Sequence, residues 1–207
     1  MPTIIKKKEQ GFTLVELMIV LVLTSIAATG MYHSYQSFSI SAEVEEQKTE
    51  LNQNIRIAMN RMVRDFRMAG YDPLGTANAG FSSANLTDAT FSMDLNETGT
   101  PGGVVTVTYQ YDAPNKELDR NGISVVQNVS ALEFRYFGLD GVHETTVSDD
   151  IRSVQISLVE ETTNEDFSFT DTIPYNNTQG TVLSVQNDNR YRKILTRRVN
   201  CRNMGLD

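Results

Sequence analysis

Few side chains in this 207-residue chain have the type and spacing to do chemistry. The clearest set lies near the start: Lys6, Lys7 and Lys8, then Gly11, Phe12 and Glu16, in "KKKEQGFTLVELMIV". Gly11 is the one small residue suitably placed before the apolar core. A peptide cut between Gly11 and Phe12 would remove the lysines and keep the apolar run. Glu16 stands inside that run, where a carboxylate costs roughly 2.5 to 3.5 kcal/mol on insertion scales. An ordinary anchor would not carry it. A buried charge of this kind becomes tolerable when it is paired and hydrogen-bonded.

The other reactive types do not assemble into a site. His33 and His143 are far apart in sequence, and Cys201 is the only cysteine, so neither a disulfide nor a transition-metal centre is expected. Acidic loops at 148–150, 163–166 and 187–189 lack EF-hand ligand spacing and read as solvated loops. No Gly-rich phosphate loop follows a strand, and two isolated histidines justify no Ser/His/Asp order. The sequence therefore reads as a non-enzyme, with no catalytic residue, no metal and no cofactor.

The element that positions Glu16 is a long helix. Residues 17–42 contain no Lys, Arg, Asp or Glu. With residues 12–15 in front, the apolar stretch reaches about the 20 residues that span a bilayer. No A-x-A cleavage pattern follows it, and no cysteine stands where a lipoprotein would need one. Farther on, Ile55, Ala58, Met59, Met62, Val63, Phe66 and Ala69 recur at steps of three and four, marking one helix face. Arg56, Arg61, Arg64 and Arg67 fall on the other face and read as its solvated side. Met59, Met62 and Met68 read as core. Gly70 suits a helix C′ position, with Pro73 shortly after. One helix over about 12–69 would measure about 87 Å at 1.5 Å per residue.

Charge divides along the chain as +2 over residues 1–11, −1 over 12–69 and −9 over 70–207. An acidic body argues against general duplex nucleic-acid binding, which needs cations on the phosphates. The segment 190–202 has six basic residues and no acidic one. It reads as a charge-protected edge strand, or as a balance for acidic loops, ahead of a partner or DNA patch.

The stretch "GFTLVELMIVLVL", with Lys6, Lys7 and Lys8 upstream, resembles the prepilin signature shared by type IV pilins and type II secretion pseudopilins. The resemblance implies a membrane-embedded prepilin peptidase that recognises the basic leader, cuts after Gly11 and N-methylates Phe12. It makes Glu16 the glutamate at the fifth position of the mature chain, used in subunit assembly. Methylation keeps the charge of the new amine. In a helix that includes Phe12, residues 12 and 16 share a face, so the amine would meet a carboxylate of its own chain or of a neighbour. Many major pilins carry a proline about twenty residues into the mature helix, and this chain does not. Gly30, near Thr24, Ser25 and Thr29, is the expected weak point instead.

Residues 75–90 read as a long polar loop. Strand patterns follow: Phe91, Met93 and Leu95; Val105, Val107, Tyr109 and Tyr111; a hairpin at Asn121-Gly122; Leu132, Phe134 and Tyr136; Val154, Ile156 and Leu158; a strand beginning at Phe167 and Phe169; and a last strand near "RYRKILTRRVN". Six to eight short, mostly antiparallel strands beside a long helix make the class α+β and pilin-like. The expected organisation is a leader over 1–11, a transmembrane and filament-core half-helix over 12–42, an amphipathic half over 43–70 and a β-rich head over 71–207. "NIRIAMNRMVRDFRMAGYDP", "VSALEFRYF", "IRSVQISLV" and "RRVNCRNMGL" are similar to PilW-type minor pilins and J-type pseudopilins.

The resemblance implies a minor pilin that primes pilus assembly or caps the tip. Its alternatives are a type II secretion pseudopilin, and a pilus-tip adhesin or DNA-uptake module. The partners implied are the prepilin peptidase, other minor and major pilins, the inner-membrane assembly platform, and inner-membrane lipid before assembly. The implied location is the inner membrane with a periplasmic head, then the filament or its tip.

Overall fold

The structure, a computed structural model, describes residues 11–205. Helix α1 runs from Leu14 to Met68 as one continuous element, starting two residues later than the periodicity suggests. It passes Gly30 without a break. Thr24, Ser25, Thr29 and Ser41 turn their hydroxyls back onto the carbonyls of Val20, Val22, Ser25 and Ser37 at 2.7 to 2.9 Å. Polar groups in an apolar stretch are thereby satisfied within the helix itself. At its C-terminal end Gly70 adopts φ +76°, the left-handed conformation of a helix C′ residue.

The chain divides into two compact units, between Glu45 and Glu46. In the first, the large apolar side chains of α1 from Leu14 to Ile40 are all more than half exposed. Nothing among the described residues of that unit covers them.

In the second unit α1 buries one stripe: Leu51, Ile55, Ala58, Met59, Met62, Val63 and Phe66. The stripe is the face marked by three- and four-residue steps, and Arg56, Arg61, Arg64 and Arg67 are exposed opposite it. Met59 and Met62 are fully buried, while Met68 packs partly against the core. Two sheets receive this face. The first is an antiparallel meander of β1 (Phe81–Ala84), β2 (Asp88–Met93), β3 (Val105–Asp112), β4 (Glu117–Arg120) and β5 (Ile123–Val126), in that spatial order. The second has β6 (Val129–Phe137), β7 (Ser153–Glu161) and, last in the chain, β10 (Arg192–Asn200), with β7 in the centre. A short pair, β8 (Tyr175–Asn176) and β9 (Val182–Ser184), lies between β7 and β10 in sequence. All strand pairs are antiparallel.

Alternation decides which residues enter the core. Phe91 and Met93 of β2, Val107 and Tyr109 of β3, and Leu132, Phe134 and Tyr136 of β6 point inward, as a half-buried strand requires. The Phe66 ring sits 4.8 to 6.2 Å from those of Phe81, Phe91, Tyr109 and Phe134. Asp65, its neighbour on the helix, accepts from the Tyr109 hydroxyl and from Arg120 Nε, each at 2.7 Å. Burial and that bond push the Tyr109 hydroxyl well above the usual phenol range. Asn121 and Gly122, both at positive φ, close the β4–β5 turn, as a two-residue hairpin demands.

Four readings of the sequence need correction. Residues 75–90 are not one loop: Phe81 and Ala89 are buried, and β1 and the start of β2 lie there. Small polar residues hid the pairing, because β1 is a short edge strand that buries little beyond Phe81. Phe167 and Phe169 begin no strand; Phe167 is 84% exposed, and Phe169 stacks on Tyr191 at 4.0 Å. Leu95 lies beyond β2 and is exposed. The count is ten strands among the described residues, because β1, β8 and β9 are too short to show a period.

Candidate functional site

Gly11, Phe12 and Thr13 precede α1 and are exposed. The reason the helix starts at Leu14 is written in the side chains of Thr13 and Glu16. Thr13 Oγ1 accepts from the Glu16 backbone N–H at 3.2 Å. In return Glu16 Oε2 accepts from the Thr13 N–H at 2.9 Å and from the Thr13 hydroxyl at 3.0 Å. This is a capping box, with Thr13 as N-cap and Glu16 three residues on. It satisfies helix-terminal donors that an apolar surrounding would leave unpaired.

Phe12, 91% exposed, therefore lies outside the helix. Residues 12 and 16 do not share a helical face in this chain, contrary to the four-residue argument. Sequence reasoning missed Thr13, although its signal was present: Thr-x-x-Glu directly before an apolar run. All three bonds fall on Thr13 Oγ1 and Glu16 Oε2. A carboxylate has about four acceptor sites, so Glu16 keeps capacity for a cation while capping the helix. Lys6, Lys7 and Lys8 lie outside the described residues.

The remaining candidates are structural. Arg192, in the basic C-terminal segment, is buried and pairs with Glu161 and Asp188 at 2.6 Å each and with Asp171 at 3.1 Å. Its guanidinium holds the Asp188 carboxyl below the usual range. Arg190 lies 3.6 Å from Glu165 and donates to the carbonyls of Thr162 and Thr163. The segment thus neutralises acidic loops at the edge of the second sheet. Among the described residues no group of three or more His, Cys, Asp or Glu could hold a metal. His143 is exposed and bonded to Asp140. Cys201 is buried, and burial pushes its thiol up to about 12.

Residues 6–32 match the family model described as the prokaryotic N-terminal methylation motif. That span contains Gly11, Phe12, Thr13 and Glu16. The type IV major fimbrial protein FimA of Dichelobacter nodosus is 30% identical over 106 residues, covering 51% of this chain and 64% of that protein. The type IV-like pilin TTHA1219 from Thermus thermophilus shares the fold, with a TM-score of 0.53 over 75% of this chain and 98% of that one, at 14% identity. In its N-terminal motif and in its fold the chain is similar to type IV pilins. Its long N-terminal helix on antiparallel sheets is the pilin-like arrangement, and α1 is the one helix, among the described residues, long and apolar enough to cross a membrane. The motif and that helix fit a membrane-anchored pilin.

Proposed function

We propose that this pilin-like chain is a minor pilin of a type IV pilus, which joins a complex that primes assembly or caps the tip. It waits in the inner membrane, held by α1, as a prepilin. Prepilin peptidase removes residues 1–11 and methylates the amine of Phe12. The observation that carries the reading is the exposed apolar half of α1 with Glu16 at its head. Such a surface needs lipid first and other helices later.

The capping box sharpens the part played by Glu16. Cleavage leaves Thr13 second in the mature chain, so its hydroxyl and N–H still hold Oε2. The amine of Phe12 then stands one residue outside the helix, free to approach the carboxylate of a neighbouring subunit. Pairing removes the cost of carrying either charge alone among packed helices. A head of this size suits a rare position better than thousands of close-packed copies.

Glu16→Gln is the discriminating variant. Glutamine serves as well as glutamate at the third helical position of a capping box, so helix and membrane insertion survive while the charge is lost. Breaking a buried charge pair costs about 3–5 kcal/mol, so incorporation into sheared pili should fall by roughly two orders of magnitude or more. Normal incorporation of Glu16→Gln would refute the pairing.

A further inference from the structure

Strand β7 sends Val154, Ile156 and Leu158 into the core at alternate positions, and the next position on that face is Glu160. Glu160 is only 2% exposed, and its Oε2 is buried without a hydrogen-bond partner among the described residues. Its neighbour Glu161 is fully engaged, by Lys116 and Arg192 at 2.6 Å each. An orphaned carboxylate at the end of an apolar column needs a reason.

Two clefts between α1 and the sheets meet at Glu160. The larger encloses about 270 Å³. Glu50 and Asn54 of α1 and Asn128 supply polar lining, and Ile57, Ala58 and Val126 supply apolar wall. The groups facing Glu160 from the packed elements are few. Glu50 faces it from α1, and burial together with that charge pushes the Glu160 carboxyl up to about 8. On β6 its register partner is the apolar Val129. On β10 its partner is Lys193, whose ammonium is bonded to Asn52 of α1.

Two carboxylates with amide oxygens and an apolar wall do not make a hard-cation cage, which takes six to eight oxygens. They match a cation on a hydrocarbon stem, whose methylenes lie on the wall while its head reaches the charge. We propose that this cleft receives an alkyl-stemmed cation, an ammonium or guanidinium group, with Glu160 and Glu50 as its counter-charges. The group is either a basic side chain of a neighbouring subunit or a free amine.

The test is a titration of the full chain in detergent micelles, with the glutamate carboxyls labelled for NMR and n-butylguanidinium as probe. A saturating shift of the Glu160 resonance is expected. Binding should be about 50-fold tighter at pH 8 than at pH 6, following the ionised fraction of a carboxyl with a pKa of about 8. In Glu160→Gln, which removes only the charge and keeps the fold, the accompanying shift of the Glu50 carboxyl in the same cleft should vanish. No saturable shift in the parent chain, an unchanged Glu50 shift in Glu160→Gln, or a calcium chloride response at lower concentration would each overturn the proposal.

The source is read in sheared filaments, an arm that rests on the pilus reading. Glu160 ionised at pH 6 with no amine added assigns the cation to a neighbouring subunit. Ionisation only after amine addition assigns it to a free ligand. The micelle titration needs no filament, so failure of the cleft and failure of the pilus reading give different results.

Discussion

At the scale of single residues, Thr13 and Glu16 carry more than their positions in a motif suggest. Each satisfies the other, and together they fix where the helix begins. Thr13→Ala removes the cap and should cost about 1 kcal/mol of first-turn stability. Amide exchange at Val15 and Glu16 in micelles should quicken by roughly fivefold, with exchange in the head unchanged; unaltered exchange would show that Thr13 does not cap. Glu160 is the second residue with a consequence for stability. Its carboxyl keeps its proton in the folded state up to about pH 8, whereas the unfolded chain releases it near the ordinary value of 4.5. Between those values the folded state binds more protons, so this group's contribution to stability is lost as pH rises. Glu160→Gln removes that slope. Thermal melts should show little gain over the parent chain at pH 4.5 and a gain on the order of 3 kcal/mol at pH 7. A gain independent of pH would mean that Glu160 is not protonated by burial.

At the scale of elements, α1 is one helix with two chemical characters. Its second half is held by the stripe from Leu51 to Phe66 and by the Asp65–Tyr109–Arg120 contact. Phe66→Ala empties the centre of an aromatic cluster and should destabilise the head by about 3–5 kcal/mol. Helicity of the apolar half should be untouched, which circular dichroism in micelles can follow through the head's unfolding transition. Gly70 ends the helix at positive φ, and a Cβ there would meet Met204 Sδ at 2.5 Å. Gly70→Ala should therefore cost about 1–2 kcal/mol in the same melt.

These elements also show what the sequence could and could not reveal. The helix stripe, the Asn121-Gly122 turn and the cores of β3, β6 and β7 were legible, because each has enough residues to show a period or a turn signature. β1, β8 and β9 were not, since four residues or fewer show none. Phe167 and Phe169 misled because aromatic alternation mimics a strand, yet only Phe169 finds a partner, Tyr191. The capping box was legible in Thr-x-x-Glu. The Glu160 cleft was not, because a carboxylate at the end of "VQISLVEE" looks like a solvated strand end until β6, β10 and α1 close around it.

At the scale of the whole molecule, the apolar half of α1 has no partner among the described residues, and one acidic head folds around the other half of that helix. That division is what the proposed cut after Gly11 and the proposed pairing of Glu16 would serve. In the reading proposed above, cleavage after Gly11 supplies a cation just outside the helix, and Glu16 of a neighbouring subunit supplies its counter-charge without giving up the helix cap. The most direct measurement is mass spectrometry of this chain recovered from sheared filaments. The expected N-terminal peptide begins at Phe12, carries one methyl group on its amine, and disappears in a strain lacking the prepilin peptidase. Filaments containing the chain with Met1 intact, or with an unmodified junction between Gly11 and Phe12, would contradict it.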